Sequence, residues 1–152
     1  MKWLNENTVL LKKFKYKIQI MAKGYEINKK RQDELSVLGR ELTRRSGSKC
    51  ELCHSGGVKL NVFEIPPVSG DPDSERCVFL CDTCSSGIAN PAKLDDHWHC
   101  LNESIWSETR PVKILSVILL KKISAQKLWA GNLLENLYLD EDDEEWINSA
   151  DL

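Results

Sequence analysis

Two Cys-x-x-Cys pairs constrain the fold of this chain more than any other feature of its sequence. The pairs are Cys50/Cys53 and Cys81/Cys84, and 27 residues separate them. Two thiolates three positions apart fit one tight turn, and two such turns supply the closed tetrahedral sulfur shell that Zn²⁺ favours. A single pair would equally suit a redox disulfide, whereas two pairs at this separation indicate a metal site. The sequence therefore predicts one structural zinc ion bound by Cys50, Cys53, Cys81 and Cys84.

Length and charge limit the class of protein. The chain has 152 residues, 41% of them hydrophobic, which suffices for one modest domain with a core. Lysines interrupt the first 20 residues, so we expect neither a secretory leader nor a membrane span, and a cytoplasmic zinc protein fits better than a secreted disulfide framework. Residues 1–49 carry 13 Lys/Arg and 5 Asp/Glu, whereas residues 50–152 carry 8 and 18. This asymmetry favours a basic segment attracted to an acidic body, with a basic arm for nucleic acid as the alternative.

The segment before the first cysteine pair divides into two parts. Apolar and lysine side chains alternate over residues 9–20, a period typical of a strand. Because residues 21–24 resemble an ordinary protein start, we expect residues 1–27 to be a basic peripheral extension, either an upstream addition or a short pairing strand. With Asn28 as N-cap, leucines at positions 35, 38 and 42 then predict a helix that ends at residues 46–48.

The residues between and after the two cysteine pairs predict a β-hairpin followed by a short helix. One strand is expected over residues 60–65, where Pro66-Pro67 stops it, and a second over residues 77–80 running into Cys81. A polar loop over residues 68–75 joins them, and a short helix is expected over residues 85–88. A tight turn with a Cys-x-x-Cys pair (a zinc knuckle), then a hairpin and then a helix form the arrangement of a treble-clef zinc finger. Backbone N–H groups, the helix start and Lys49 or Lys59 are the expected partners of the negative zinc–thiolate centre.

The last third of the chain predicts three to four helices, so the expected fold class is α+β. A short helix is expected over residues 102–106 and a longer one with Pro111 at its first position. A third helix is capped by Ser124, and a fourth is capped by Asp140, with residues 141–144 as its solvated acidic first turn. The inward side chains of the last two helices are predicted to be Leu128, Trp129, Leu133, Leu137, Tyr138, Trp146 and Ile147, and Trp98 and Trp106 are also expected to pack.

Two further cysteines lie outside the pairs. Cys77 and Cys100 are expected to be small buried hydrophobic residues, as most free cysteines are. The alternative is a second metal site in which they join His97 and His99, although only His97-x-His99 has a usual ligand spacing. His54 is expected to be an exposed turn residue.

Eight short stretches of the sequence share the pattern of one known family, namely residues 45–53, 62–67, 77–84, 97–98, 100–102, 104, 106–107 and 137–141. Together they resemble the zinc-binding N-terminal domain of PhnA-like proteins, a family named after an alkylphosphonate-utilisation operon. The resemblance covers about residues 36–148. It implies a zinc domain over residues 28–152, with a zinc core at 47–100 and a helical part at 101–148. It also implies a C-terminal SH3-like domain, for which this chain, ending at Leu152, has no counterpart.

The resemblance implies no defined activity, and the residues favour a non-catalytic module that binds protein or nucleic acid or has a regulatory role. A basic surface at Lys29, Lys30, Arg31, Arg40, Arg44 and Arg45 would favour nucleic acid. A degenerate HNH-type nuclease is one alternative, but its metal-binding histidines are missing from residues 62–65 and 84–86. A phosphonoacetate-type phosphonate hydrolase is the other, and it needs a dinuclear Asp/His cluster that three histidines do not supply.

Overall fold

The computed structural model describes residues 3–68 and 70–152, with side chains described from residue 8 onward. The fold is α+β, as predicted, with a two-stranded antiparallel sheet among helices. Short 3-10 turns cover Ser36–Leu38, Ser74–Arg76, Pro91–Lys93 and Asp96–Cys100. The helices and strands are α1 (Trp3–Leu35), α2 (Gly39–Ser46), β1 (Leu60–Glu64), β2 (Cys77–Cys81), α3 (Asp82–Gly87), α4 (Leu101–Ser104), α5 (Arg110–Ser124), α6 (Leu128–Glu135) and α7 (Glu141–Ser149).

The chain divides into two compact units, the first ending at Val37 and the second running from Leu38 to Leu152. In the first unit, α1 is one continuous helix of 33 residues. The strand predicted over residues 9–20 is therefore wrong, and so is the N-cap at Asn28, which lies inside α1. Residues four positions apart lie on the same face of a strand and also on the same face of a helix. An alternating apolar pattern is therefore compatible with either element. The boundary between residues 27 and 28 remains a prediction.

The second unit begins with a helix whose end is set by glycine. Gly47 follows α2 with φ of 64° and donates its N–H to the carbonyl of Thr43, and Ser48 donates to the same oxygen at 3.1 Å. A residue in this left-handed conformation closes a helix without steric cost only when it lacks a Cβ. The predicted helix end at residues 46–48 is confirmed, and it leads the chain directly into the first cysteine pair.

The β-hairpin forms as predicted. β1 pairs antiparallel with β2 from Leu60 opposite Cys81 to Glu64 opposite Cys77. All five residues of β2 are buried, whereas those of β1 are half-buried. β2 is the more buried strand because α5 packs on it. The hairpin thereby connects the cysteine pairs to the helical part of the chain.

Helix α5 is the centre of the hydrophobic core. Ten of its fifteen residues are buried, more than one face of a helix can supply, and it contacts α4, α6, α7 and β2. A helix that is apolar on most sides must be surrounded by other elements. Its single fully buried hydroxyl, on Ser116, donates to the carbonyl of Val112 at 2.8 Å and lies within hydrogen-bond distance, 2.9 Å, of the hydroxyl of Ser104.

Several sequence predictions for the helical part are corrected. Pro111 occupies the second position of α5, because this helix begins at Arg110. Ser124 is the last residue of α5 and donates to the carbonyl of Lys121, so it does not cap α6. Three side chains predicted to pack are exposed instead. Leu128 (81% exposed) is the first residue of α6, whereas Tyr138 (85%) and Trp106 (57%) lie beyond the ends of α6 and α4.

Helix α7 is capped and packed as predicted, except for one acidic side chain. The carboxylate of Asp140 accepts the N–H of Asp143 at 2.8 Å, and Trp146 is buried with its indole N–H donating to the carbonyl of Pro66 at 3.1 Å. Asp143 itself is buried rather than solvated, because Arg110 donates to it at 2.8 Å. The acidic first turn thus contributes an ion pair to the core.

A close approach at Gly87 gives a direct test of the packing around α3. A Cβ at this position would clash with the side chain of Leu94 and lie 2.8 Å from the Trp98 ring. We expect Gly87→Ala to lower the free energy of unfolding in urea by about 1–3 kcal/mol, through overpacking. The matched control is Gly131→Ala in α6, where a Cβ meets nothing within 4 Å. That change should stabilise the protein by about 0.5–1 kcal/mol, and equal effects at both sites would contradict the packing described for Gly87.

Candidate metal centre

The first cysteine pair lies on a closed turn. The backbone N–H of Cys50 donates to the carbonyl of Ser55 at 3.0 Å, and the N–H of His54 donates back to the carbonyl of Cys50 at 2.9 Å. His54 is exposed and has a φ of 60°, so it is the turn residue predicted from the sequence. A bond of 2.9 Å from the N–H of Glu51 to the carbonyl of Phe79 then fixes this turn against β2.

The second pair lies where β2 passes into α3. Cys81 is the last residue of the strand and the N-cap of the helix, and its sulfur accepts the N–H of Cys84 at 3.5 Å. Because the hairpin register places Leu60 opposite Cys81, the strand pairing returns this end of β2 to the side of the first turn. The β-hairpin and the first turn of α3 thus bring the two cysteine pairs together.

All four predicted sulfur atoms converge. The Sγ atoms of Cys50, Cys53, Cys81 and Cys84 lie within 4.8 Å of one another, and those of Cys53 and Cys81 are 3.6 Å apart. A tetrahedral zinc site with Zn–S bonds of about 2.3 Å has sulfur–sulfur edges of about 3.8 Å. Three of the four cysteines are buried, and Cys53 is half-buried. The cluster could therefore hold a metal ion of the size and ligand preference of Zn²⁺.

The pKa values of the clustered thiols indicate that a bound cation would stabilise their ionised forms. The Cys84 thiol donates a hydrogen bond to the Cys50 sulfur, which lowers the pKa of Cys50 to about 4 and raises the pKa of Cys84 far above its usual range. Burial raises the pKa of Cys81 as well. Without a cation, ionisation of Cys50 is favoured, whereas ionisation of Cys81 and Cys84 is disfavoured. A bound divalent ion would allow all four thiols to ionise together.

Two polar side chains touch the cluster from outside. The Nε2 atom of His97 lies 3.1 Å from the Cys84 sulfur, and the hydroxyl of Ser55 lies 3.1 Å from the Cys53 sulfur. Such contacts can orient thiolate ligands and partly offset their charge. No sequence pattern predicted either role, since His97 was considered only as a ligand of a second metal site and Ser55 has no distinctive spacing. The expected roles of Lys49 and Lys59 stay predictions.

The alternative second metal site does not form. Among the side chains that the structure describes, the four paired cysteines are the one group of three or more metal-ligating residues. Cys77 is fully buried at the opposite end of β2 from Cys81, and the His99 ring stacks on Trp129 at 4.5 Å. Cys100 is half-buried, and burial together with the negative charge of the nearby cluster raises its pKa to about 12.

An ion pair between the half-buried Arg45 and the buried Glu51 stabilises the first turn. The guanidinium of Arg45 donates to both carboxylate oxygens of Glu51 at 2.7 and 2.8 Å, and one of these oxygens also accepts the N–H of Phe79 at 2.8 Å. Arg45 further donates to the carbonyls of Ser74 and Cys77, both at 2.8 Å. Burial alone would lower the pKa of Arg45, but Glu51 outweighs it and the pKa is raised. Arg45 is therefore part of the support for the site rather than of a basic surface.

Comparisons with protein-family models, with curated proteins and with solved structures find no match for this chain. In the part of the chain that the structure describes, no helix combines the length and the apolar character that a membrane crossing requires.

Proposed function

We propose that this protein is a non-catalytic zinc-binding module in which Cys50, Cys53, Cys81 and Cys84 hold one structural Zn²⁺. The convergence of the four sulfur atoms within 4.8 Å carries the proposal. Four thiolates would fill every position of a tetrahedral zinc ion and leave none for a substrate or an activated water. The zinc would then act as a cross-link between the two turns.

The position of the cluster in the fold supports a structural role. Cys50, Cys81 and Cys84 belong to the same hydrophobic core as the buried residues of α5. Structural zinc sites contribute folding free energy directly, on the order of 10 kcal/mol. A metal at this point would stabilise the whole second unit. The reducing cytoplasm is the compartment we propose, since the thiols must stay reduced to bind.

Membership in the PhnA-like family is part of this proposal and rests on the sequence stretches that resemble that family. In the fold, those stretches lie in the first cysteine turn, the hairpin, the start of α3 and the helical part. The family gives no activity to transfer, so the role proposed is interaction or regulation and involves no phosphonate chemistry.

A protein partner is favoured over nucleic acid. Of the basic residues expected to form a nucleic-acid surface, Arg45 is committed to Glu51, and Arg31 is paired with Glu34 at 3.1 Å. Cations already neutralised by carboxylates release few counterions from a nucleic-acid backbone, and that release is the main source of non-specific affinity. Four of the six remain exposed, Lys29 and Lys30 on α1 and Arg40 and Arg44 on α2. Neither helix carries more than two of them, fewer than a basic stripe needs.

Metal analysis combined with thiol titration tests the proposed site. We expect one zinc per chain and no rapidly reacting thiol in the native protein, because four thiols are ligands, Cys77 is fully buried and the pKa of Cys100 is raised to about 12. After chelation under denaturing conditions, all six thiols should react. A metal-free native protein, or two metals per chain, would contradict the proposal.

A further inference from the structure

Helix α1 presents an apolar row that nothing in the described chain covers. Its members are 50–70% exposed and follow one another at intervals of three and four residues. We call this row the seam, and it consists of Leu11, Phe14, Ile18, Met21 and Tyr25. Alternating intervals of three and four keep side chains on one narrow face of a helix, and that spacing is the pattern of a two-stranded coiled coil.

We infer that the seam of α1 pairs with the seam of a second copy of this chain to form a coiled-coil homodimer. A helix that exposes its apolar side chains to water and carries a glycine, Gly24, in its interior is marginal by itself. Pairing two copies removes these side chains from water and supplies the packing that a single α1 lacks. The inference concerns a surface distant in sequence from the cysteines and does not depend on the proposed zinc.

The area of the seam is sufficient for a stable pair. The five seam residues and the adjacent Leu10, which is 63% exposed, would each bury roughly 100 Å². The pair would then bury roughly 600 Å² on each copy and about 1,200 Å² in total, the lower bound for a specific interface. This estimate predicts a dimer of moderate rather than extreme affinity.

The charges beside the seam permit this pairing. In a parallel pair in register, Lys17 faces Ala22 of the partner subunit, and Lys15 faces Leu10 of the partner subunit. The flanking lysines therefore oppose uncharged residues, and their aliphatic stems can cover the edge of the seam. Residues 8–30 nevertheless hold seven lysines and one acidic residue, so two copies repel each other at long range. Salt screens this repulsion and should strengthen the dimer.

A second exposed apolar row lies on the opposite face of α1, and it serves as a control surface. Val9, Tyr16, Ile20 and Ile27 follow at intervals of seven, four and seven, so lysine and glycine positions interrupt the row. An interrupted row cannot provide consecutive knobs for the holes of a partner helix. The two rows are otherwise matched in solvent exposure, since Phe14 is 65% exposed and Tyr16 is 67% exposed.

The test compares two charge-matched double variants of the full chain by sedimentation equilibrium in about 0.05 and about 0.5 M NaCl. The seam variant is Phe14→Glu with Ile18→Glu, and the control is Tyr16→Glu with Ile20→Glu. We expect the wild-type chain to dimerise more tightly at the higher salt concentration. The seam variant should raise the dimer dissociation constant at least about 100-fold, and the control less than about threefold.

Three outcomes would overturn the inference. One is a wild-type chain that stays monomeric at both salt concentrations, and another is an equal loss of dimer in the two variants. The third is association that requires DNA, RNA or anionic vesicles and weakens as salt rises, which would assign α1 to an anionic partner instead. Zinc content should be unchanged in both variants, and its loss would indicate unfolding of the second unit rather than a broken seam.

Discussion

Replacing Cys84 with serine should abolish the cooperative unfolding of the second unit, residues 38–152. A site that has lost one of its four thiolates binds zinc far more weakly, and a structural zinc contributes on the order of 10 kcal/mol. That is comparable to the whole stability of a domain of this size. Because Cys84 shares one core with α5, the loss should spread to the helical part. Urea titrations followed by far-UV circular dichroism, with and without a chelator, measure the effect.

The matched control for this variant is Cys77→Ala. Cys77 lies in β2 together with Cys81 and is equally inaccessible, but it is outside the group of converging sulfurs. It should keep one zinc per chain and lose at most about 1–2 kcal/mol, the cost of removing a small buried group. A Cys84→Ser protein that unfolds as cooperatively as the Cys77→Ala protein would show that the cluster is not the main support of the core.

Glu51→Ala should destabilise the protein by about 3–5 kcal/mol, the second largest effect we expect. The substitution leaves the Arg45 guanidinium largely buried without its carboxylate and removes the acceptor of the Phe79 N–H. The loss of a partner from a buried ion pair costs more than the pair itself contributes. Urea unfolding of the metal-loaded protein gives the change in free energy.

A double-mutant cycle separates the pair from its surroundings. Because each single variant leaves an unpaired group, Arg45→Ala with Glu51→Ala should cost clearly less than the sum of the two single changes. The exposed pair of Lys127 and Asp95 is the control, and Asp95→Ala there should cost no more than about 1 kcal/mol. Additive costs at Arg45 and Glu51 would mean that the two side chains stabilise the fold independently.

The sequence predicted those parts of the fold whose signals are local. Cysteine spacing requires a tight turn, and Pro66-Pro67 limits the strand before it, so the hairpin between the pairs could be placed almost to the residue. The cap at Asp140 could also be predicted from the sequence. Its carboxylate can accept a backbone N–H at the N-cap, and the acidic residues that follow are favoured in the first turn of a helix. In each case the determining contact lies within a few residues of the signal.

The misassigned element, α1, shows where such reasoning fails. Phe14, Tyr16, Ile18 and Ile20 alternate with lysines, which is a strand pattern when the four are counted together. On a helix the same residues separate into Phe14/Ile18 and Tyr16/Ile20, two pairs four residues apart on opposite faces. Nothing within residues 9–20 distinguishes the two arrangements, since the deciding fact is the length of the helix that continues to Leu35.

The pair of Arg45 and Glu51 could not be predicted for a different reason. Both residues are charged and lie in a segment rich in exposed charge, so composition assigned Arg45 to a basic surface. Their burial depends on β2, whose Cys77 and Phe79 backbone groups complete the hydrogen bonds from about 30 residues away in sequence. Contacts of this kind follow from the tertiary fold and leave no pattern in either segment.

The unequal accessibility of the four sulfurs has a kinetic consequence. Cys53 is half-buried whereas Cys50, Cys81 and Cys84 are buried, so an incoming chelator or competing ion can reach the cluster first at Cys53. With the proposed metal bound, we would therefore expect exchange to begin with the detachment of Cys53, while the other three cysteines would retain the ion until the core opens. The rate of metal release would then be low at low chelator concentration and would rise as the chelator competes with Cys53 for its coordination position. This rate could change without any change in the affinity of the cluster for the metal.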